Sequence, residues 1–326
     1  MQIRVSRREM FAAAAAISPL VMRSGSALAQ TTADFTEVSL WPEAYLPKGQ
    51  GPSSPELWVE RSNKEGKVRR AITAISRPRL IVVRPQKPNG AAVMVVPGGS
   101  YAFLYIDKEG FEVAKWLAAA GFTAFILLYR LPGEGWSNQE TVPLADAMRA
   151  IRLIRHRSWR YGIDPERVSI LGFSAGGHLC GSLATAGDAP VYMPVDDADN
   201  LSARPASAGL IYPVISMKPG LGHAGSRSHL LGDQPIGQKM TEFSVEERVK
   251  EVNPPMFLAH ARDDTTVSVD NSLVLWSALR RFNIPCDLHL FSTGGHGFVG
   301  KYITASGWPQ LFVDWLNSAA VRHDET

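Results

Sequence analysis

The segment Gly172-Phe173-Ser174-Ala175-Gly176-Gly177 restricts the possible folds of this 326-residue chain more than any other feature. It follows the apolar run 168–171 directly and precedes a helical run over 175–185. A serine with glycine two positions to either side matches the G-x-S-x-G elbow, a sharp strand-to-helix turn that exposes the hydroxyl at its apex. The backbones approach so closely there that the neighbours must be glycine or small. The plain alternative is a glycine-rich turn that only packs a helix on a strand. The strand–turn–helix setting favours the elbow.

The rest of the chain has the matching rhythm. Short apolar runs at 91–96, 123–129 and 168–171 read as strands, with further strands at 209–212, 255–261 and 286–291 and a strand-rich stretch around 79–83. Helical spacing separates them at 111–120, 144–161, 268–281 and 308–319. In the 144–161 helix, Ala147, Ile151, Ile154 and Trp159 supply the apolar stripe. Unbroken apolar strands between helices predict an α/β fold with a mostly parallel central sheet, helices on both faces and a small lid-like insert. Two stretches, 188–205 and 220–252, break the rhythm after the serine strand and would overhang a site at the strands' C-terminal ends. Residues 30–55 read as an irregular lead-in.

A serine hydroxyl needs a base to take its proton. His296, in Gly294-Gly295-His296-Gly297-Phe298 after the last core strand, is the candidate; His178, His260 and His289 read as structural. The third member should be a carboxylate in the loop after 255–261. Asp263 and Asp264 compete there, and Asp264-Thr265-Thr266-Val267 has the better spacing. The order Ser174, Asp264, His296 is the α/β-hydrolase order. Oxyanion donors are expected from the Ala175 amide and from Pro97-Gly98-Gly99-Ser100-Tyr101 after the 91–96 strand, with Gly99 and Ser100 favoured. Which of Gly98, Gly99 and Ser100 donates stays open. Tyr101 either lines the acyl pocket or packs.

Weaker features have bland readings. Glu109-Gly110 looks like a helix start, Asp146 and Arg149 at i,i+3 suggest an ion pair, and His223 and Arg227 suggest a solvated loop.

The N-terminus reads as a removable address. Ser6-Arg7-Arg8 precedes an alanine-rich apolar run over 11–22, and Ala27-Leu28-Ala29 offers a small-x-small cleavage site. Twin arginines before a weakly apolar run resemble a bacterial twin-arginine (Tat) export signal over 1–29, with the Tat export machinery as the precursor's partner. The run is too short for a bilayer-spanning anchor, so a periplasmic or secreted catalytic domain over 30–326 is expected. Residues 1–29 carry the whole formal charge of +3, leaving the remainder neutral. No basic patch argues for nucleic acid. Cys180 and Cys286 read as two separate buried thiols. They cannot hold zinc alone, and no cofactor is expected.

Together the motifs resemble bacterial acetylxylan-esterase-like and feruloyl-esterase-like α/β hydrolases of plant cell walls. The resemblance is carried by Val96-Pro97-Gly98-Gly99-Ser100-Tyr101, Glu109-Gly110, Leu128-Tyr129-Arg130-Leu131-Pro132 and the elbow through Leu179. Gly225-Ser226-Arg227, Leu230-Leu231-Gly232, Asn253-Pro254-Pro255, Asp263-Asp264 and Gly294 to Phe298 continue it. It runs from about Trp41 to the last helix. The family often shows a third glycine where Ser100 stands and a proline where Ser268 stands. The resemblance implies hydrolysis of short acyl esters, foremost acetyl groups on xylan-derived sugars, without metal or organic cofactor.

Two rival functions differ in class. A prolyl-oligopeptidase-type peptidase shares the elbow and chain order but carries a propeller. The roughly 60 residues between the expected cleavage site and the 91–96 strand suffice for two or three strands only. A catalytically idle binding protein would not need all three residue types and the glycine loop.

Overall fold

The strands over 92–96, 123–128, 168–173, 208–211 and 256–261 are buried along their whole length, as expected of strands covered on both faces. A computed structural model describes residues 35–46, 50–62, 68–298 and 307–322. The expected export signal and cleavage site lie outside the described residues. The elements below belong to one unit beginning at Thr36.

In chain order the strands are β1 (Thr36–Ser39), β2 (Leu57–Ser62), β3 (Val68–Thr73), β4 (Arg79–Val83) and β5 (Ala92–Val96). They continue with β6 (Thr123–Leu128), β7 (Val168–Phe173), β8 (Ala208–Ile211), β9 (Met256–Ala261) and β10 (Cys286–Phe291). The main sheet has the order β1-β4-β6-β5-β7-β8-β9-β10. β1 and β4 pair antiparallel, as do β4 and β6, and every later pairing is parallel. The expected α/β-hydrolase architecture is therefore present.

The helices are α1 (Glu112–Ala119), α2 (Val142–His156), α3 (Ser158–Tyr161), α4 (Ala175–Ala186), α5 (Ala224–Leu231), α6 (Gly237–Glu242), α7 (Asp270–Arg281) and α8 (Trp308–Arg322). From α8, Phe312 and Trp315 pack on Phe257 of β9, with ring centroids 5.4 and 5.7 Å apart. Such a cluster anchors one face of the sheet, each ring pair adding about 1 kcal/mol beyond the area it buries.

Three expectations need correction. The lead-in over 30–55 is not wholly irregular, because β1 pairs with β4; just beyond it, β2 and β3 form a separate antiparallel pair. The 144–161 helix breaks at Arg157, whose φ of −106° and ψ of 14° are no longer helical. The wheel resets there, so Trp159 leaves the apolar stripe and is 75% exposed. Asp146 and Arg149 do not pair. Buried Asp146 binds the Arg130 guanidinium at 2.7 Å, and Arg149 turns to Asp196 and Asp199.

The insert between β8 and β9 holds α5 and α6. Asn271 at the start of α7 anchors its root: its Oδ1 accepts the amides of Ile215 and Ser216 at 3.0 and 3.1 Å.

Candidate active site

Ser174 occupies the turn between β7 and α4 with φ 52° and ψ −118°. Non-glycine residues pay for that conformation, and it persists only where the surroundings enforce it. The flanking glycines are that enforcement. A Cβ on Gly172 would lie 2.3 Å from the Gly176 carbonyl oxygen, and one on Gly176 would lie 2.2 Å from that of Val96. Strand and helix therefore close tightly enough to present the hydroxyl.

Two further strands bring the partners. His296, in the loop after β10, accepts at Nε2 from the Ser174 hydroxyl over 3.0 Å. Its Nδ1 donates to Asp264 Oδ2 over 2.7 Å. Asp264 Oδ1 accepts the amides of Thr266 and Val267, both at 2.9 Å, which fixes the carboxylate plane. Burial opposes ionisation of Asp264, but the hydrogen bonds from His260 and His296 outweigh it and hold the carboxyl well below the ordinary range. Asp263 points elsewhere and accepts the Gly295 amide at 2.7 Å, steadying the loop that carries His296. The structure thus brings Ser174, His296 and Asp264 together, and leaves Asp263 off the imidazole.

The glycine loop after β5 is similarly constrained. Gly99, Ser100 and Tyr101 all have positive φ, at 136°, 57° and 62°. The Gly98 amide donates to Glu109 Oε2 over 2.8 Å, so it is engaged. Among the described residues the amides of Gly99, Ser100 and Ala175 have no protein acceptor, which leaves them available to an oxyanion. Tyr101 does not line a pocket. It is 1% exposed and donates its hydroxyl to His178 Nδ1 over 2.8 Å. It packs because the left-handed backbone turns its ring inward, against Tyr129.

Two of the histidines read as structural, His178 and His260, touch the site's supports. His178 Nε2 donates to the Phe243 carbonyl at 2.8 Å, so its Nδ1 must accept from Tyr101. It joins the elbow helix to the insert and to the glycine loop. Burial pushes its pKa down to about 4. His260 Nε2 donates to the Val267 carbonyl at 3.1 Å and lies 3.3 Å from Asp264 Oδ2. The only sequence sign of this contact was the i,i+4 spacing to Asp264.

His223 and Arg227 do not form a solvated loop. His223 caps α5 by accepting the Ser226 amide at Nδ1, 3.2 Å away. Its pKa is lowered by burial, then by the positive field of His296. Arg227, on α5, has a buried Nη1 without a hydrogen-bond partner.

Among the described residues no group of three or more His, Cys, Asp or Glu could hold a metal ion, and no helix is long and apolar enough to cross a membrane. Cys180 and Cys286 are unpaired; Cys180 is buried as expected, whereas Cys286, at the start of the edge strand β10, is only half-buried.

A hydrogen-bonded serine, imidazole and carboxylate at the ends of parallel strands define an α/β-hydrolase-fold protein. The BD-FAE family model matches residues 81–279, and the chain belongs to that family. It is 32% identical over 229 residues to an acetylxylan esterase of Xylanibacter ruminicola, covering 68% of this chain and 44% of that protein. It is 37% identical over 217 residues to endo-1,4-beta-xylanase B of Butyrivibrio fibrisolvens, covering 66% and 34%. The chain thus spans less than half the length of either relative. A crystal structure of an acetyl ester-xyloside bifunctional hydrolase from Caldicellulosiruptor lactoaceticus superposes with a TM-score of 0.72 at 32% identity, covering 87% of this chain and 96% of that one.

Proposed function

We propose that this protein is a serine hydrolase of short carboxylic esters, acting on acetyl groups of xylan or xylo-oligosaccharides. One observation carries the chemistry: the continuous hydrogen-bond chain from the Ser174 hydroxyl through both nitrogens of His296 to Asp264. Ser174 Oγ attacks the ester carbonyl while His296 Nε2 takes the hydroxyl proton. The oxyanion is held by the amides of Ala175 and of Gly99 or Ser100, and Asp264 stabilises the imidazolium. The C–O bond to the sugar breaks as His296 returns the proton to the leaving oxygen. Water, deprotonated by His296, then releases the acid and frees Ser174. The chain's own residues suffice for each step.

The substrate class is supported by two relatives whose names join acetyl ester cleavage to xylan or xyloside, and by a third named as a xylanase. Export through the Tat machinery to the periplasm or beyond is part of the same proposal, supported by Arg7-Arg8 and the apolar run after them. Acetate release from acetylated xylan by wild type and by Ser174→Ala, beside a feruloyl ester and a proline peptide, tests the reading. Loss of all ester cleavage in the variant is expected. A wild type that spares every ester, or cleaves the peptide best, overturns it.

A further inference from the structure

We infer that Glu109 is a positioning residue whose buried carboxylate sets the oxyanion loop and the aromatic support of His296 against one another. The inference rests on the ester-hydrolase reading above.

Glu109 is 3% exposed. It lies in the wide π-type turn Ile106–Phe111 that runs into α1. A first-turn helix acid would face solvent, but this turn faces the carboxylate inward. Its Oε2 accepts the Gly98 amide at 2.8 Å, and its Oε1 accepts the Tyr212 hydroxyl at 3.0 Å. Neither partner is a cation. A carboxylate buried this deeply opposes folding unless its oxygens are bonded, and both bonds go to groups bordering the reacting serine and histidine.

The first bond acts on the loop. Gly98 has no slack: a Cβ there would lie 2.4 Å from the Phe173 carbonyl oxygen and 2.9 Å from Ser174 Cβ. Holding the Gly98 amide fixes the start of the segment that carries the amides of Gly99 and Ser100, unpaired among the described residues. The second bond acts on the base. Tyr212, just past β8, has φ 38°. Its ring packs edge-on against His296 at 5.0 Å and against Phe298 at 5.1 Å. One anion therefore ties the donors of the oxyanion to the shelf beneath the imidazole. Donors must stand about 3 Å from the developing charge, and misplacement by about 1 Å costs on the order of a hundredfold in rate.

The test compares wild type, Ser174→Ala, Glu109→Met, Glu109→Gln and Tyr212→Phe on p-nitrophenyl acetate, with rates counted per folded molecule. Methionine keeps volume but loses both bonds. Glutamine can accept from Gly98 and donate to the Tyr212 oxygen. Glu109→Met should lose about a hundredfold in kcat with KM within about threefold, and should bind phenylboronic acid, a tetrahedral mimic, correspondingly more weakly. Glu109→Gln should recover most of kcat. Tyr212→Phe should lose about tenfold in kcat without a matching loss of Tm. A folded Glu109→Met with near-wild-type kcat and boronate affinity overturns the inference. If that variant does not fold, unchanged kcat in Tyr212→Phe overturns it. Failure of the underlying reading is distinguishable, because wild type would then match Ser174→Ala.

Discussion

Asp264 Oδ2 lies 2.7 Å from His296 Nδ1, while the adjacent Asp263 accepts the Gly295 amide instead. Two neighbouring carboxylates therefore have separate tasks. Asp264→Asn should lower kcat by about 10⁴, because the amide favours the wrong imidazole tautomer. Asp263→Asn keeps an oxygen for Gly295 and should cost less than about tenfold. Steady-state kinetics of the two variants decide the matter, and the reverse ranking would reassign the acid.

Acid should weaken the fold through His178. Its imidazole is buried, and burial pushes its pKa down to about 4. The unfolded chain takes up this proton near pH 6.5, whereas the native state resists until about 4. Its contribution to stability is thus whole above pH 6.5 and is lost as pH falls toward 4, by up to roughly 3 kcal/mol. Urea unfolding of wild type and His178→Gln across this range should show a steeper fall for wild type. Parallel profiles would contradict the assignment.

The buried Arg130–Asp146 pair offers a stability test away from the chemistry. Asp146 is fully buried and also accepts from Trp41 Nε1 at 2.7 Å. Asp146→Ala leaves the guanidinium uncompensated and should cost about 3–5 kcal/mol. Arg130→Met combined with Asp146→Leu should cost less than the single change. Denaturant midpoints read the comparison, and additive losses would show that the two groups do not act as a pair.

Neither thiol should react readily. Burial pushes Cys180 well above the ordinary thiol range, and burial with the Asp287 charge pushes Cys286 up to about 12. Native protein at pH 8 should be slow toward Ellman's reagent, whereas unreduced denatured protein should release both thiols. A denatured sample with fewer than two free thiols would reveal a disulfide.

The interior strands β5 to β9 were legible because each is a short, largely apolar run between helical patterns, whereas β10 at the sheet edge carries Asp287 and His289 and is only partly buried. The elbow and the base were legible for a similar reason, since local glycines mark both turns. β1 escaped notice because only Val38 of its four residues is buried, too little for a periodicity to register. β2 and β3 carry Glu60, Arg61, Arg69 and Arg70 among their apolar residues, so charge masked the alternation. Long-range pairings were not legible at all. Arg130 finds Asp146 only because the chain end beyond β6 meets α2 in space, and the spacing of Asp146 to Arg149 suggested a contact that the tertiary structure replaces. Glu109 looked like a helix-start acid because a π-type turn and an α-helical first turn have no distinguishing mark at this length.

Ser174, Asp264 and His296 come from the ends of β7, β9 and β10, whereas the insert bearing α5 and α6 leaves the sheet between β8 and β9. Residues 218–242 contribute no member of the hydrogen-bonded chain, and their root is pinned by Asn271 below and by His178 at Phe243. The reacting groups and the insert thus occupy separable lengths of polypeptide. Exchanging the insert between those two pins should therefore leave the Ser174–His296–Asp264 arrangement intact, so that differences among such exchanges report on the insert alone.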